Sequence, residues 1–127
     1  MPRRMAGIAA LALVAVAACG PSAVDPSAVP ERVVLLTRDP SVIGCPANVV
    51  HGPLVVDVKA GTAIIDNGVR KPIRWPPGYS GRRSGGEIEI LDASGTVVGR
   101  TGTVVALDGG EVERGTWLTC PGPVRPE

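Results

Sequence analysis

The stretch Leu54–Trp75, which reads LVVDVKAGTAIIDNGVRKPIRW, decides the fold. In its first part apolar and polar residues alternate, so that Leu54, Val56 and Val58 share one face of an extended chain and Asp57 lies on the other. Short aliphatic runs follow, rich in the β-branched Val and Ile that pack well on pleated strands. The stretch therefore predicts consecutive strands of a sheet with one wet face.

Three groups of turn residues indicate hairpins along the chain. Asn67-Gly68 predicts a two-residue hairpin, because both central positions of that turn need a positive φ. Asp92-Ala93-Ser94-Gly95 and Asp108-Gly109-Gly110 indicate two more. Spacings of about 8 to 12 residues between turns are typical of all-β folds. The predicted strands are Val33–Thr37, Leu54–Lys59, Thr62–Asp66, Val69–Trp75, Glu87–Leu91, Thr96–Arg100, Thr103–Leu107 and Val112–Thr119.

The composition agrees with short strands joined by tight turns. The chain has 17 Gly and 13 Pro, too many for long helices, and no Phe, so its core must consist mainly of Val, Ile, Leu and Ala. No segment of the mature chain shows a helical period. The sequence therefore predicts an all-β fold, a small antiparallel barrel or sandwich, with OB-like curvature as one form that it could take.

The N-terminus has the layout of a signal peptide. Arg3 and Arg4 precede the uncharged apolar run Ala6–Ala18. A membrane-spanning helix needs roughly 20 apolar residues, so this run is short for a permanent anchor. We therefore expect residues 1–18 to be cleaved during export.

The residues around the expected cleavage point, Val16-Ala17-Ala18-Cys19-Gly20, resemble a bacterial lipobox. This resemblance implies a lipid on Cys19, which would hold the protein on the outer face of the bacterial cell membrane. Each methylene of the acyl chains that is buried in the bilayer contributes about 0.8 kcal/mol of binding free energy. The alternative is a secreted protein with a chance cysteine. The expected division of the chain after the signal peptide has three parts. Residues 19–31 form the lipidated cysteine and a Pro/Ser/Ala tether, residues 32–121 form the β-domain, and residues 122–127 form a C-terminal tail. A Pro-rich surface loop is the alternative to the tether.

The two other cysteines, Cys45 and Cys120, form an even pair in a compartment that permits disulfides. We expect them to be bonded to each other. A metal site is the alternative, but His51 is the only histidine and the chain has no Cys-x-x-Cys spacing. The sequence thus predicts a disulfide and neither a metal nor a cofactor.

Charge and nucleophile chemistry narrow the possible functions. Once Arg3 and Arg4 leave with the signal peptide, 11 of the 13 Lys and Arg remain against 12 Asp and Glu, which argues against nucleic acid as a partner. A Ser, Cys or Thr nucleophile needs a general base within hydrogen-bond reach. The only imidazole that could serve, His51, precedes Gly-Pro in an expected loop, where a histidine is usually solvated. We expect a non-catalytic protein, with a small hydrolytic enzyme as the less favoured alternative.

One basic segment is the candidate ligand-binding surface. Residues 69–86, VRKPIRWPPGYSGRRSGG, carry five cations, two aromatic rings and no acid. Such a surface suits anionic polymers or lipid headgroups. The alternatives are that the rings fill the core while the arginines are solvated, or that the domain docks to another envelope protein. The candidate residues are Arg70, Lys71, Arg74, Trp75, Tyr79, Arg82 and Arg83.

The same region carries a second resemblance. The stretches Trp75–Tyr79, Gly85–Asp92 and Gly95–Val98 resemble small uncharacterised exported proteins of high-GC actinobacteria, and the likeness covers Leu54–Gly110. In that group a cysteine often stands near the position of Thr62 and an acid near that of Thr103. The resemblance implies an envelope β-domain and carries over no site residue.

Overall fold

The structure of the chain, a computed structural model, describes residues 31–41 and 44–127, with the side chain of Arg114 excepted. The predicted signal peptide, residues 1–18, lies outside the described residues, as do Cys19 and residues 20–30 of the predicted tether. In the described part, no helix is long and apolar enough to cross a membrane.

Within these ranges the chain forms ten strands and one 3₁₀ turn. The strands are β1 (Arg32–Val33), β2 (Asn48–Asp57), β3 (Gly61–Asp66), β4 (Val69–Arg74), β5 (Ser80–Ser84), β6 (Glu87–Leu91), β7 (Val97–Arg100), β8 (Val104–Val112), β9 (Thr116–Thr119) and β10 (Arg125–Pro126). The 3₁₀ turn, Glu113–Gly115, joins β8 to β9.

Five of the strands close into a barrel in the order β2-β3-β4-β9-β8, with β8 returning to β2. The predicted small all-β barrel is therefore confirmed, and its Greek-key order has the OB-like form. Neighbours are antiparallel except β4 and β9, where Ile73 pairs with Trp117 and Arg74 with Leu118. A ring with an odd number of strands cannot alternate direction throughout, so one parallel pair is required.

A second sheet, β1-β5-β6-β7, is antiparallel throughout. Its strands β5, β6 and β7 lie between β4 and β8 in the chain, whereas β1 precedes β2. This sheet does not have a separate core, because Ile88 and Ile90 of β6 belong to the same apolar cluster as the barrel residues. That cluster consists of Leu35, Val50, Leu54, Ile64, Ile73, Trp75, Ile88, Ile90, Val105, Leu107 and Trp117. Aliphatic side chains and two tryptophans thus fill the core, as the composition predicts.

Two of the predicted turns are confirmed. Asn67 and Gly68 both have positive φ, 47° and 79°, and connect β3 to β4 with Asp66 opposite Val69. Between β6 and β7, the Asp92 carboxylate accepts hydrogen bonds from the backbone N–H groups of Ser94 and Thr96. Both turns could be predicted from the local sequence, because the residues of each turn themselves adopt the required φ or make the required hydrogen bonds.

The predicted turn at Asp108-Gly109-Gly110 is wrong, because these residues lie inside β8. A Cβ on Gly109 would stand 1.9 Å from the carbonyl oxygen of Leu118, and one on Gly52 of β2 would stand 1.9 Å from that of Ile65. Glycine is needed at both positions for close approach of neighbouring backbones where the barrel bends. The chain reverses instead at the 3₁₀ turn.

Three further features differ from the sequence pattern. Val58 is fully exposed rather than on the buried face with Leu54, because β2 ends at Asp57 and the chain turns there. Residues 80–84, for which the sequence predicts no strand, form β5 between β1 and β6. Residues 122–127, expected as a tail, contribute β10, which pairs with β8.

Candidate functional site

The two aromatic rings of the basic segment pack inside and against the domain. Trp75 is 1% exposed, belongs to the core cluster, and donates a 2.8 Å hydrogen bond from Nε1 to the Thr62 hydroxyl. Tyr79 stacks on it with ring centroids 6.0 Å apart and an interplanar angle of 16°. The Tyr79 hydroxyl accepts a hydrogen bond from the backbone N–H of Gly122. Trp75 therefore offers no free ring face to a ligand in this structure.

The first two cations of β4 each have an acidic partner. Arg70 Nη1 lies 3.3 Å from Asp57 Oδ1 and also bonds the backbone carbonyl of Val56. Lys71 Nζ lies 2.9 Å from Asp66 Oδ2 and 3.7 Å from Glu111 Oε2. The hydrogen bond to Asp66 raises the pKa of Lys71, and desolvation of the ammonium partly opposes this. Lys71 is thus a largely buried structural charge, with a side chain only 13% exposed.

The two cations of β5 are paired as well, but they remain accessible. Arg82 faces Glu89 across the β5–β6 ladder, with Nη2 3.1 Å from Oε2. Arg83 Nε lies 3.1 Å from Glu31 Oε2, and about two-fifths of its side chain is exposed. The Arg83–Glu31 pair is exposed on both sides and contributes about 0 to 1 kcal/mol, so an anionic ligand could replace Glu31 at little cost. The Arg82–Glu89 pair is partly buried, because the Glu89 side chain is only 14% exposed.

Arg74, at the end of β4, has a different environment. Among the described residues, no carboxylate lies within 4 Å of its guanidinium. It is half-buried and lines a cavity of about 220 Å³ together with Arg38, which comes from the segment that follows β1. The Arg38 and Trp75 backbones are hydrogen-bonded, and this pairing brings the two arginines to one place. The remaining lining residues are Asp39, Val112, Glu113 and Leu118.

Arg38 is an incompletely satisfied donor at this cavity. Its Nη1 donates to the carbonyl oxygen of Gly44 at 2.9 Å. Its Nε is buried, and no acceptor lies within reach among the described residues. An unsatisfied buried donor costs about 1 to 3 kcal/mol, more when it is charged. Sequence reasoning missed Arg38, because a single arginine beside Asp39 carries no signal and its cavity partner is 36 positions away.

The acids at the edge of the cavity are both exposed. Asp39 Oδ1 accepts hydrogen bonds from the backbone N–H and the hydroxyl of Ser41. These bonds hold the pKa of Asp39 below its ordinary value, so the carboxylate is ionised at neutral pH. Glu113 stands in the 3₁₀ turn. The cavity therefore combines two guanidinium groups with apolar walls and acidic edges.

The predicted disulfide is present. Cys45, just before β2, is bonded to Cys120, just after β9, with Cα atoms 5.6 Å apart and 75 positions between them in sequence. The bridge joins the entrance of the barrel to its last strand. It closes a long loop, which is the arrangement in which a cross-link restricts the unfolded chain most.

The single imidazole lies on the outside of the barrel. His51 of β2 contacts the Glu127 carboxylate through Nδ1, and more than half of its side chain is exposed. In the ranges that the structure covers, no group of three or more His, Cys, Asp or Glu side chains is placed to hold a metal ion. The contact with Glu127 ties the C-terminal residues to the barrel.

Comparison of this chain with protein-family models, with curated proteins and with solved structures found no match.

Proposed function

We propose that this chain is an exported lipoprotein, held on the outer face of a bacterial cell membrane by a lipid on Cys19, whose β-domain works by binding anionic envelope material rather than by catalysis. The observation that carries the proposal is the Cys45–Cys120 disulfide. Disulfides of this structural kind persist in exported proteins and are rare in the cytosol. The bridge thus supports the compartment that the lipobox resemblance of Val16–Cys19 implies.

The cations of the basic segment support the binding part of the proposal. Arg83 holds Glu31 only through an exposed ion pair, whereas Arg82 is accessible beside a partly buried carboxylate. Arg74 has no such partner among the described residues. Since exposed pairs are weak, a ligand with several negative charges gains from replacing them. The anionic ligands that fit are wall polymers and lipid headgroups.

Metabolic labelling with a palmitate analogue tests the anchor. We expect the full chain to take up label and to fractionate with membranes, and Cys19→Ser to take up none and to be released or left unprocessed. Cys45→Ala/Cys120→Ala is the matched control, because it removes the other two cysteines and leaves Cys19 in place. An unlabelled wild-type protein would contradict the lipoprotein proposal.

Binding of the purified lipidated protein to isolated cell-wall polymer tests the ligand. We expect binding that weakens between low and physiological salt, because exposed charge contacts are screened over about 8 to 10 Å. If the protein co-purifies in stoichiometric amount with one envelope protein and has no affinity for polymer or lipid, it is a docking subunit instead.

A further inference from the structure

We propose that the cavity shared by Arg38 and Arg74 is a binding site for a phosphate-ester group that also carries hydroxyls. The inference rests on the proposed function, because it names the anion that the domain would take and where it would bind.

Charge is the first argument. Arg38 and Arg74 are half-buried in one cavity, and no carboxylate of the described residues lies within 4 Å of either guanidinium. Arg32 and Arg100 also have no such partner, but both are exposed and hydrated. Two partly desolvated cations in one cavity repel each other and lack the water that stabilises exposed ones. An anion bound between them would offset both the repulsion and the loss of hydration.

The donors of Arg38 are the second argument. A guanidinium has five N–H donors in a fixed plane, and the described residues accept from Nη1 alone. The bond to Gly44 holds one side of the group in place, while Nε is left buried without an acceptor. A small rotation of the side chain into the cavity would present Nε and Nη2 together. That fork matches two oxygens of a phosphate in a bidentate arrangement.

The rest of the lining specifies what the phosphate is attached to. Val112 and Leu118 form an apolar wall suited to a short carbon chain. Asp39 and Glu113 at the edge can accept hydrogen bonds from hydroxyls, and they disfavour a second strongly charged group. The cavity has a volume of about 220 Å³. One polyol phosphate unit fits this chemistry, whether it comes from a wall polymer or from a lipid headgroup.

The experiment follows the arginine Nε–H signals of the ¹⁵N-labelled, lipidated full chain in non-ionic detergent at low salt. The probes are inorganic phosphate, glycerol 3-phosphate, and vesicles of phosphatidylglycerol with phosphatidylcholine vesicles as the uncharged reference. We expect the Arg38 Nε–H signal to shift and saturate with glycerol 3-phosphate, and inorganic phosphate to bind more weakly because it lacks the carbon chain and hydroxyls.

Three matched variants locate the site. Arg38→Gln and Arg74→Gln should each weaken binding at least tenfold. Arg100→Gln removes the same charge from an exposed position and should change affinity less than twofold. If Arg38→Gln fails to fold, Arg74→Gln alone decides the outcome, because Arg74 makes no side-chain hydrogen bond to the described residues that folding would require.

The outcomes separate the ligand sources from each other and from the proposed function. Saturation by glycerol 3-phosphate with no preference for phosphatidylglycerol supports a soluble or polymeric ester, and binding to phosphatidylglycerol vesicles alone supports a headgroup. Absence of any binding, or equal binding by the cavity variants and wild type, overturns the site. If the cavity variants still bind wall polymer, the proposed function holds and only the cavity site is wrong. If Cys19 takes up no label, the lipid anchor is wrong, and the result says nothing against the cavity site.

Discussion

The indole Nε1 of Trp75 donates a 2.8 Å hydrogen bond to the Thr62 hydroxyl, and both side chains are fully buried. The bond joins the residue that follows β4 to the neighbouring strand β3. It allows a large amphipathic ring to fill a core that has no Phe. The same bond explains why the most conspicuous aromatic residue of the basic segment belongs to the core.

This bond leads to the first prediction, on stability. Thr62→Val keeps the volume of the side chain but leaves the Trp75 N–H without an acceptor, which should lower the free energy of unfolding by about 1 to 3 kcal/mol. Urea denaturation followed by tryptophan fluorescence measures the loss. Thr62→Ser is the control, since it retains the hydroxyl and should cost less than Thr62→Val. A larger loss for Ser than for Val would contradict the importance of the bond.

The second prediction concerns the close approach of strands at the barrel bends. Gly109→Ala and Gly52→Ala place a Cβ 1.9 Å from a backbone carbonyl oxygen, so the backbone must move. We expect each to destabilise the domain by about 3 kcal/mol, at the upper end of the usual cost of overpacking. Gly86→Ala is the control, because a Cβ there meets nothing within 4 Å. Thermal unfolding of the three variants provides the comparison, and equal midpoints would refute the assignment.

The third prediction concerns the disulfide. A bridge that closes 75 residues contributes about 4 kcal/mol in the chain-entropy model, so reduction should lower the melting temperature by more than about 15 °C. Calorimetry with and without reductant measures the shift, and Cys45→Ala/Cys120→Ala should reproduce it without reductant. A non-reducing peptide map that finds both thiols free would show that the bridge does not form.

The structure also shows which parts of the fold the sequence could predict. Asn67-Gly68 and the run Glu87–Leu91 are local signals, and the hairpin and the strand that they predict are confirmed. The strand β5, SGRRS, has no β-branched residue and is held by its neighbours β1 and β6, so no local pattern could indicate it. The pair Gly109-Gly110 is ambiguous for a physical reason, since glycine serves a tight turn and a close backbone approach equally well.

In the candidate site, too, the sequence shows which residues are charged but not which distant residues they contact. The cations of residues 69–86 stand out in the sequence, but the carboxylates that pair with them come from other strands. Arg38 joins Arg74 only because the segment after β1 runs beside the end of β4. Neither the neutralised cations nor the shared cavity has a signature in the local sequence.

The fourth prediction is a pH dependence at Lys71. Its pKa in the folded protein is raised above the ordinary value of 10.5, first by the hydrogen bond to Asp66. The stabilisation from the charged lysine is therefore complete below pH 10.5 and is lost as the pH rises through the folded pKa. Lys71→Gln should be less stable than wild type at pH 7, and the difference should shrink above pH 10.5. Lys59→Gln, which removes an exposed lysine at the β2–β3 turn, is the control for loss of a positive charge.

The last prediction tests whether the two arginines of β5 bind anionic material. Arg82→Gln/Arg83→Gln removes two accessible cations. Loss of the exposed Arg83–Glu31 pair should cost at most about 1 kcal/mol of unfolding free energy, and the amide of Arg82→Gln can still donate a hydrogen bond to the partly buried Glu89. Binding of the lipidated full chain to wall polymer should weaken several-fold and lose part of its salt dependence, because fewer charge contacts remain to be screened.

A charge-matched double variant makes that test specific. Lys59→Gln/Arg100→Gln also removes two exposed cations, but from the β2–β3 turn and the end of β7. If only the net charge of the domain mattered, both double variants would lose affinity equally. A loss confined to the Arg82 and Arg83 variant assigns the contact to β5 rather than to the net charge of the domain. Equal losses would contradict a localised basic surface and leave Arg74 with Arg38 as the anion site to be tested by the phosphate-ester titration.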